Sequence, residues 1–197
     1  VGRCGGGAGG RGAGGSGPFE VSAGPGLAQV IPNDAYDGSL ASMECVELFV
    51  SGAPQLLGSV EVTTAINHDT VCDLVIKLQN PSGGVHTLLN RPCVEPTWAD
   101  DGTMGLVTCP ANLSAMHPIT FREGSGTTAE AMGINLGDDE VVCLDDQVCD
   151  YAFSPGTGPD DDLTVGSPDG TWQFCVGDTL DIGNGQIDAV TLRLLAR

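Results

Sequence analysis

Residues 68 to 89 read HDTVCDLVIKLQNPSGGVHTLL, and this stretch decides the fold. Leu74, Ile76 and Leu78 alternate with Val75 and Lys77, the two-residue period of a β-strand. The three apolar residues therefore share one face. Asn80-Pro81-Ser82-Gly83-Gly84 is turn chemistry, because proline presets φ and glycine tolerates the left-handed region. Val85 to Leu89 then returns as the second arm of a hairpin.

The same pattern recurs on both sides. Ser39 to Val50 and Ser59 to Ile66 are rich in β-branched and apolar residues, with Ser51-Gly52-Ala53-Pro54 between them. Towards the end, Trp172, Phe174 and Val176 share one face. So do Val190, Leu192 and Leu194, while Thr191 and Arg193 point away. Nothing is long and helically periodic, and Thr127 to Met132 reads as one brief helix. Short strands separated by turns predict an all-β fold, an antiparallel jelly-roll-like β-sandwich with Trp172 in its core.

Two regions break the pattern. Val1 to Pro18 is VGRCGGGAGGRGAGGSGP, with no apolar residues at any regular spacing to bury against a core. Residues 1–26 are therefore expected to be a linker or tail, and residues 27–197 the domain. From Cys93 to about Asp150 the strand signals weaken, which reads as a long insertion stapled by disulfides because it lacks its own core.

The chain carries 26 Asp+Glu against 7 Lys+Arg, a formal charge of −19. Such a surface repels phosphate backbones and anionic leaflets, which excludes nucleic acid as a partner. It suits divalent cations or a basic protein. No run approaches the ~20 apolar residues of a membrane helix, so no membrane insertion is expected.

Eight cysteines stand at 4, 45, 72, 93, 109, 143, 149 and 175. There is no C-x-x-C, and none of the three histidines is spaced to complete a zinc site. Disulfides follow, and with them a secreted or extracellular location, or a periplasmic or cell-surface one. Cys143 and Cys149 flank five residues and are expected to pair, as are Cys93 and Cys109 at the start of the insertion. Pairing among Cys4, Cys45, Cys72 and Cys175 stays open, although two framework cysteines are expected to join. Cys72 and Cys175 both read as lying near the sandwich surface.

His68, Asp73-Leu74, Asn80 to Gly83, Leu88-Leu89 and Arg91-Pro92 together resemble the first signature of the P-domain, or P/Homo B domain, of subtilisin-like proprotein convertases and bacterial subtilases. Asp169 to Phe174, Asp178, Gly185 to Ile187 and Thr191-Leu192 resemble its closing signature. The likeness spans Gln29 to Pro92 and Ser154 to Arg197. Cys72 replaces the family's glycine, and Val190 stands where a second tryptophan is usual. The family's acidic "FDDE" segment maps either to Trp98-Ala99-Asp100-Asp101 or to Phe121-Arg122-Glu123.

The resemblance implies a sandwich with no active site, packed against a subtilisin-like catalytic domain or another extracellular protein. It implies a non-catalytic accessory module of a secreted, protease-related protein. The alternative is an independent carbohydrate- or surface-binding module. No serine sits in a loop opening a helix as a protease nucleophile would, so the chain is not expected to be an enzyme. Residues 178–188 fail as a calcium loop, because placing Gly185 at position six puts Leu180 and Ile182 at ligand positions. Structural calcium is expected in another geometry. Asp73 and Asp178, which match family positions, are the first candidate ligands, followed by Asp100 and Asp101. Asp69, Asp138, Asp139, Asp145, Asp146 and the run Asp160 to Asp162 complete the carboxylate clusters.

Overall fold

The computed structural model describes residues 17–92, 110–154, 161–181 and 183–197. Among the described residues, ten strands form two packed sheets. They are β1 (Phe19–Ala23), β2 (Gln29–Ile31), β3 (Glu44–Val50), β4 (Leu57–His68), β5 (Leu74–Gln79), β6 (Val85–Asn90), β7 (Ile119–Arg122), β8 (Asp150–Tyr151), β9 (Gly170–Asp178) and β10 (Gly185–Ala196). The first sheet runs β1-β10-β4-β7-β8, with β2 also on β10, and the second runs β3-β9-β5-β6. The β7–β8 pair is parallel, and the other strand pairs are antiparallel. This is the expected all-β sandwich.

The alternation read from the sequence places the core. Leu74, Ile76 and Leu78 of β5 meet Trp172, Phe174 and Val176 of β9 and Val190, Leu192 and Leu194 of β10 in one buried cluster. Trp172 is fully buried, and its indole N–H donates to the Pro168 carbonyl at 2.9 Å. The β5–β6 turn is closed by the Asn80 side chain, whose oxygen accepts from the backbone N–H groups of Ser82 and Gly84. Gly83 takes φ +89, a conformation its missing Cβ permits.

Several expectations are corrected. The sandwich starts ahead of residue 27: Phe19, Val21 and Ala23 are half-buried against exposed Glu20 and Ser22, and β1 pairs with Leu194 to Val190 of β10. Residues 110–154, closed by the Cys143–Cys149 disulfide, share the core of the sandwich rather than lying outside it. β7 extends the first sheet beside β4, and Phe121, Met132, Val142 and Tyr151 enter the main cluster. These elements are too short to show a period of their own. The brief helix is one 3-10 turn, Ala129–Ala131. Asp161–Thr164 forms a single helical turn that sends Leu163 into the core.

The face of β5 opposite the core is also buried. Tyr36 and Met43 pack with Val75 and Cys175, and the Lys77 ammonium sits 5.2 Å from the Tyr36 ring centre and donates to the Gly38 carbonyl. A Cβ on Gly177 would lie 2.7 Å from the Tyr36 ring, so the cover needs glycine there. Cys72 and Cys175 are accordingly deep in the fold rather than near its surface.

On the outer face of the first sheet, Glu20, Arg193, Glu61 and Arg122 lie opposite one another across β1, β10, β4 and β7. Arg193 bonds Glu20 at 2.8 Å, and Arg122 reaches Asp150 at 3.3 Å. Alternating signs remove like-charge neighbours, but exposed pairs of this kind contribute only about 0–1 kcal/mol each.

Candidate functional site

Two of the candidate ligands, Asp73 and Asp178, come together where the chain crosses between the sheets. β4 ends at His68, a 3-10 turn covers Val71–Asp73, β9 ends at Asp178, and β10 begins at Gly185. β9 and β10 lie in different sheets, so the segment between them crosses the sandwich rather than closing a hairpin.

His68 Nε2 lies 3.1 Å from Asp178 Oδ2, with both side chains fully buried. The Thr70 backbone N–H donates to His68 Nδ1 at 3.1 Å. Nδ1 therefore accepts, and Nε2 carries the proton and donates a hydrogen bond to Asp178. The Leu180 backbone N–H donates to the other Asp178 oxygen at 3.0 Å. Gly183 and Gly185 floor the ring: a Cβ on Gly183 would stand 2.9 Å from His68 Cε1, and one on Gly185 would collide with the ring outright. Gly185→Ala should cost about 1–3 kcal/mol by overpacking, read as a lowered urea midpoint.

Asp73 sits in the same buried region. Its backbone carbonyl accepts from the Thr179 N–H and hydroxyl at 3.0 and 2.9 Å. Both carboxyl oxygens are buried without a hydrogen-bond partner. Burial, then the neighbouring Asp178 charge, push the Asp73 pKa up to about 7, while the Arg91 guanidinium pulls the other way. The folded protein thus holds a proton that an unfolded Asp73 releases near pH 4. Stability from this group is complete below about pH 4 and lost as pH rises towards 7, at up to about 1.4 kcal/mol per pH unit. Asp73→Asn mimics the protonated acid and should flatten that loss in urea titrations from pH 4 to 8. An unchanged slope in the variant would locate the titration elsewhere.

Of the candidate calcium ligands, Asp73 and Asp178 are thus brought together, but beside a histidine and away from solvent. Asp100 and Asp101 fall outside the described residues, as does Asp160. Asp69, Asp138 and Asp139 line one hollow of about 390 Å³ with Thr70 and Asn112. Among the described residues, no group of three or more His, Cys, Asp or Glu side chains is gathered to hold a metal ion.

Cys45 and Cys175 form a disulfide between directly opposite positions of β3 and β9. Cys143 and Cys149 form another across the loop before β8. Cys4, Cys93 and Cys109 lie outside the described residues. No described helix is long and apolar enough to cross a membrane. The His68–Asp178 pair escaped the sequence reading, because the partners lie 110 positions apart and no local pattern joins them.

No family model and no curated protein matches the chain. Among solved structures, it is similar to the serine protease of Aeromonas sobria at 14% identity and a TM-score of 0.46, covering 91% of this chain and 26% of that one. The Aeromonas sobria serine protease and chaperone complex gives 14% identity, a TM-score of 0.45 and the same coverages. The chain spans about a quarter of the length of these structures. Likeness at this level says nothing about activity.

Proposed function

We propose that this chain is a non-catalytic accessory module of a secreted, protease-related protein, acting as a rigid sandwich that supports a subtilisin-like catalytic domain. The observation that carries the reading is the state of His68. A general base needs a free ring nitrogen within reach of substrate. Both nitrogens of His68 are engaged, and the ring is fully buried. The residues shared with the P-domain signatures serve the same end, since Leu74, Leu88, Leu89, Trp172 and Phe174 build the core.

A carbohydrate-binding module would want exposed aromatic platforms. Among the described residues, Phe49 is the one large aromatic side chain well exposed, and Trp172 is buried, so this reading is the weaker one.

The purified chain should neither hydrolyse casein nor take up a fluorophosphonate serine-hydrolase label. Mass spectrometry of the native gene product, with and without cross-linking, should find this domain joined or bound to a subtilisin-like catalytic domain. Casein hydrolysis by the purified chain, above all hydrolysis lost in His68→Ala, or retention on glycan arrays with no protease in attendance, would overturn the proposal.

Structural calcium belongs to the same proposal and rests on the carboxylate excess of the chain. A native-state site filled a hundredfold above its Kd adds about 2.7 kcal/mol. The melting temperature should therefore rise with calcium and fall with chelator. Identical melting in both would remove the ion.

A further inference from the structure

Between residues 127–136 and 140–151 the loops leave an open groove of about 580 Å³, within the size range of ligand clefts. Its apolar lining comes from Ala131, Ile134, Leu136, Val148 and Tyr151. Ile134 is 57% exposed, an isoleucine left more than half in water. Glu140, Asp145 and Asp146 supply the charge, and no lysine or arginine lines the groove.

The three carboxylates are held in place from one side. Glu140 accepts from the Gly137 N–H and Asp145 from the Val141 N–H, both at 2.6 Å. Asp146 accepts from the N–H groups of Cys143 and Val148 at 2.8 and 3.0 Å. The Cys143–Cys149 disulfide ties the base of this loop. A ligand therefore meets fixed negative charges beside an apolar floor, with little ordering left to be done on the protein side.

We propose that this groove binds an extended peptide segment of a partner protein, one that places a lysine or arginine beside a bulky apolar side chain. The apolar side chain covers Ile134 and the floor, and the cation meets the carboxylates. Charge complementarity selects this occupant: an acidic segment would be repelled, and a purely apolar one would leave three carboxylates partly desolvated without a counter-charge. The site goes beyond the accessory role proposed above and does not depend on it, since a basic-apolar segment can belong to any extracellular partner.

The test is fluorescence anisotropy of the full chain with a labelled nonapeptide of alternating arginine and leucine. The same peptide with glutamate for arginine is the comparison. The arginine peptide should bind and the glutamate peptide should not. Glu140→Gln with Asp145→Asn removes two charges while keeping the oxygens that accept from Gly137 and Val141, and should weaken binding about tenfold or more. Ile134→Ser should weaken it by a smaller factor. Glu47→Gln, on β3 and away from the groove, should change nothing. If the double variant does not fold, Ile134→Ser decides alone. Equal affinity in all variants would mean diffuse attraction to a −19 chain, and that outcome, binding of the glutamate peptide, or no binding of the arginine peptide at millimolar concentration would each overturn the proposal.

Discussion

Trp172→Ala is expected to lower stability by about 3–5 kcal/mol, the range for truncating a fully buried large aromatic. The side chain has no exposed surface, stands opposite Leu48 across β3 and β9, and belongs to the main core cluster. Alanine leaves a cavity that the neighbouring strands cannot close without breaking register. It also removes the donor to the Pro168 carbonyl. Since whole domains are stable by only about 5–15 kcal/mol, the variant should unfold at far lower urea with an unchanged m-value. A midpoint within error of the parent would mean that the two sheets do not pack on this residue.

Removing the Cys45–Cys175 bridge should cost a comparable amount. Its partners are 130 positions apart, and cross-linking a loop of about 100 residues is worth about 4.7 kcal/mol on the chain-entropy model. The double change to alanine avoids leaving hydroxyls in the buried layer under Tyr36 and Met43. Calorimetry should show a large fall in Tm, whereas loss of Cys143–Cys149, with a separation of six, should cost much less. If both losses proved equal, loop closure would not be the source of the stabilisation.

How much was legible follows from where each signal is stored. β5, β6, β9 and β10 carry their own alternation and turn residues, so local sequence suffices, and Trp172 reads as core for the same reason. β7 and β8 have four and two residues. They are strands because β4 and then β7 offer an edge, which no local window reveals. Lys77 reads as the polar side of β5, yet it is buried beneath Tyr36 because a loop starting some forty residues earlier folds over it. At the candidate site, Asp73 and Asp178 were singled out, but their meeting with His68 is a property of three chain segments. The arrangement that results is an imidazole hydrogen-bonded to one carboxylate, beside a second carboxyl whose pKa burial raises to about 7.

The loop that covers β5 and β9 has a further consequence for how the chain behaves in time. With one face against the other sheet and the other face beneath Tyr36 and Met43, these central strands have almost no path to solvent short of global opening. Their amides should be the slowest to exchange hydrogen for deuterium, with protection near the full unfolding free energy. Endoproteases cleave backbone only in opened states, so the most recognisable segments of this sequence are also those least available for cutting. For a module proposed to live beside a peptidase, that closure is a means of survival.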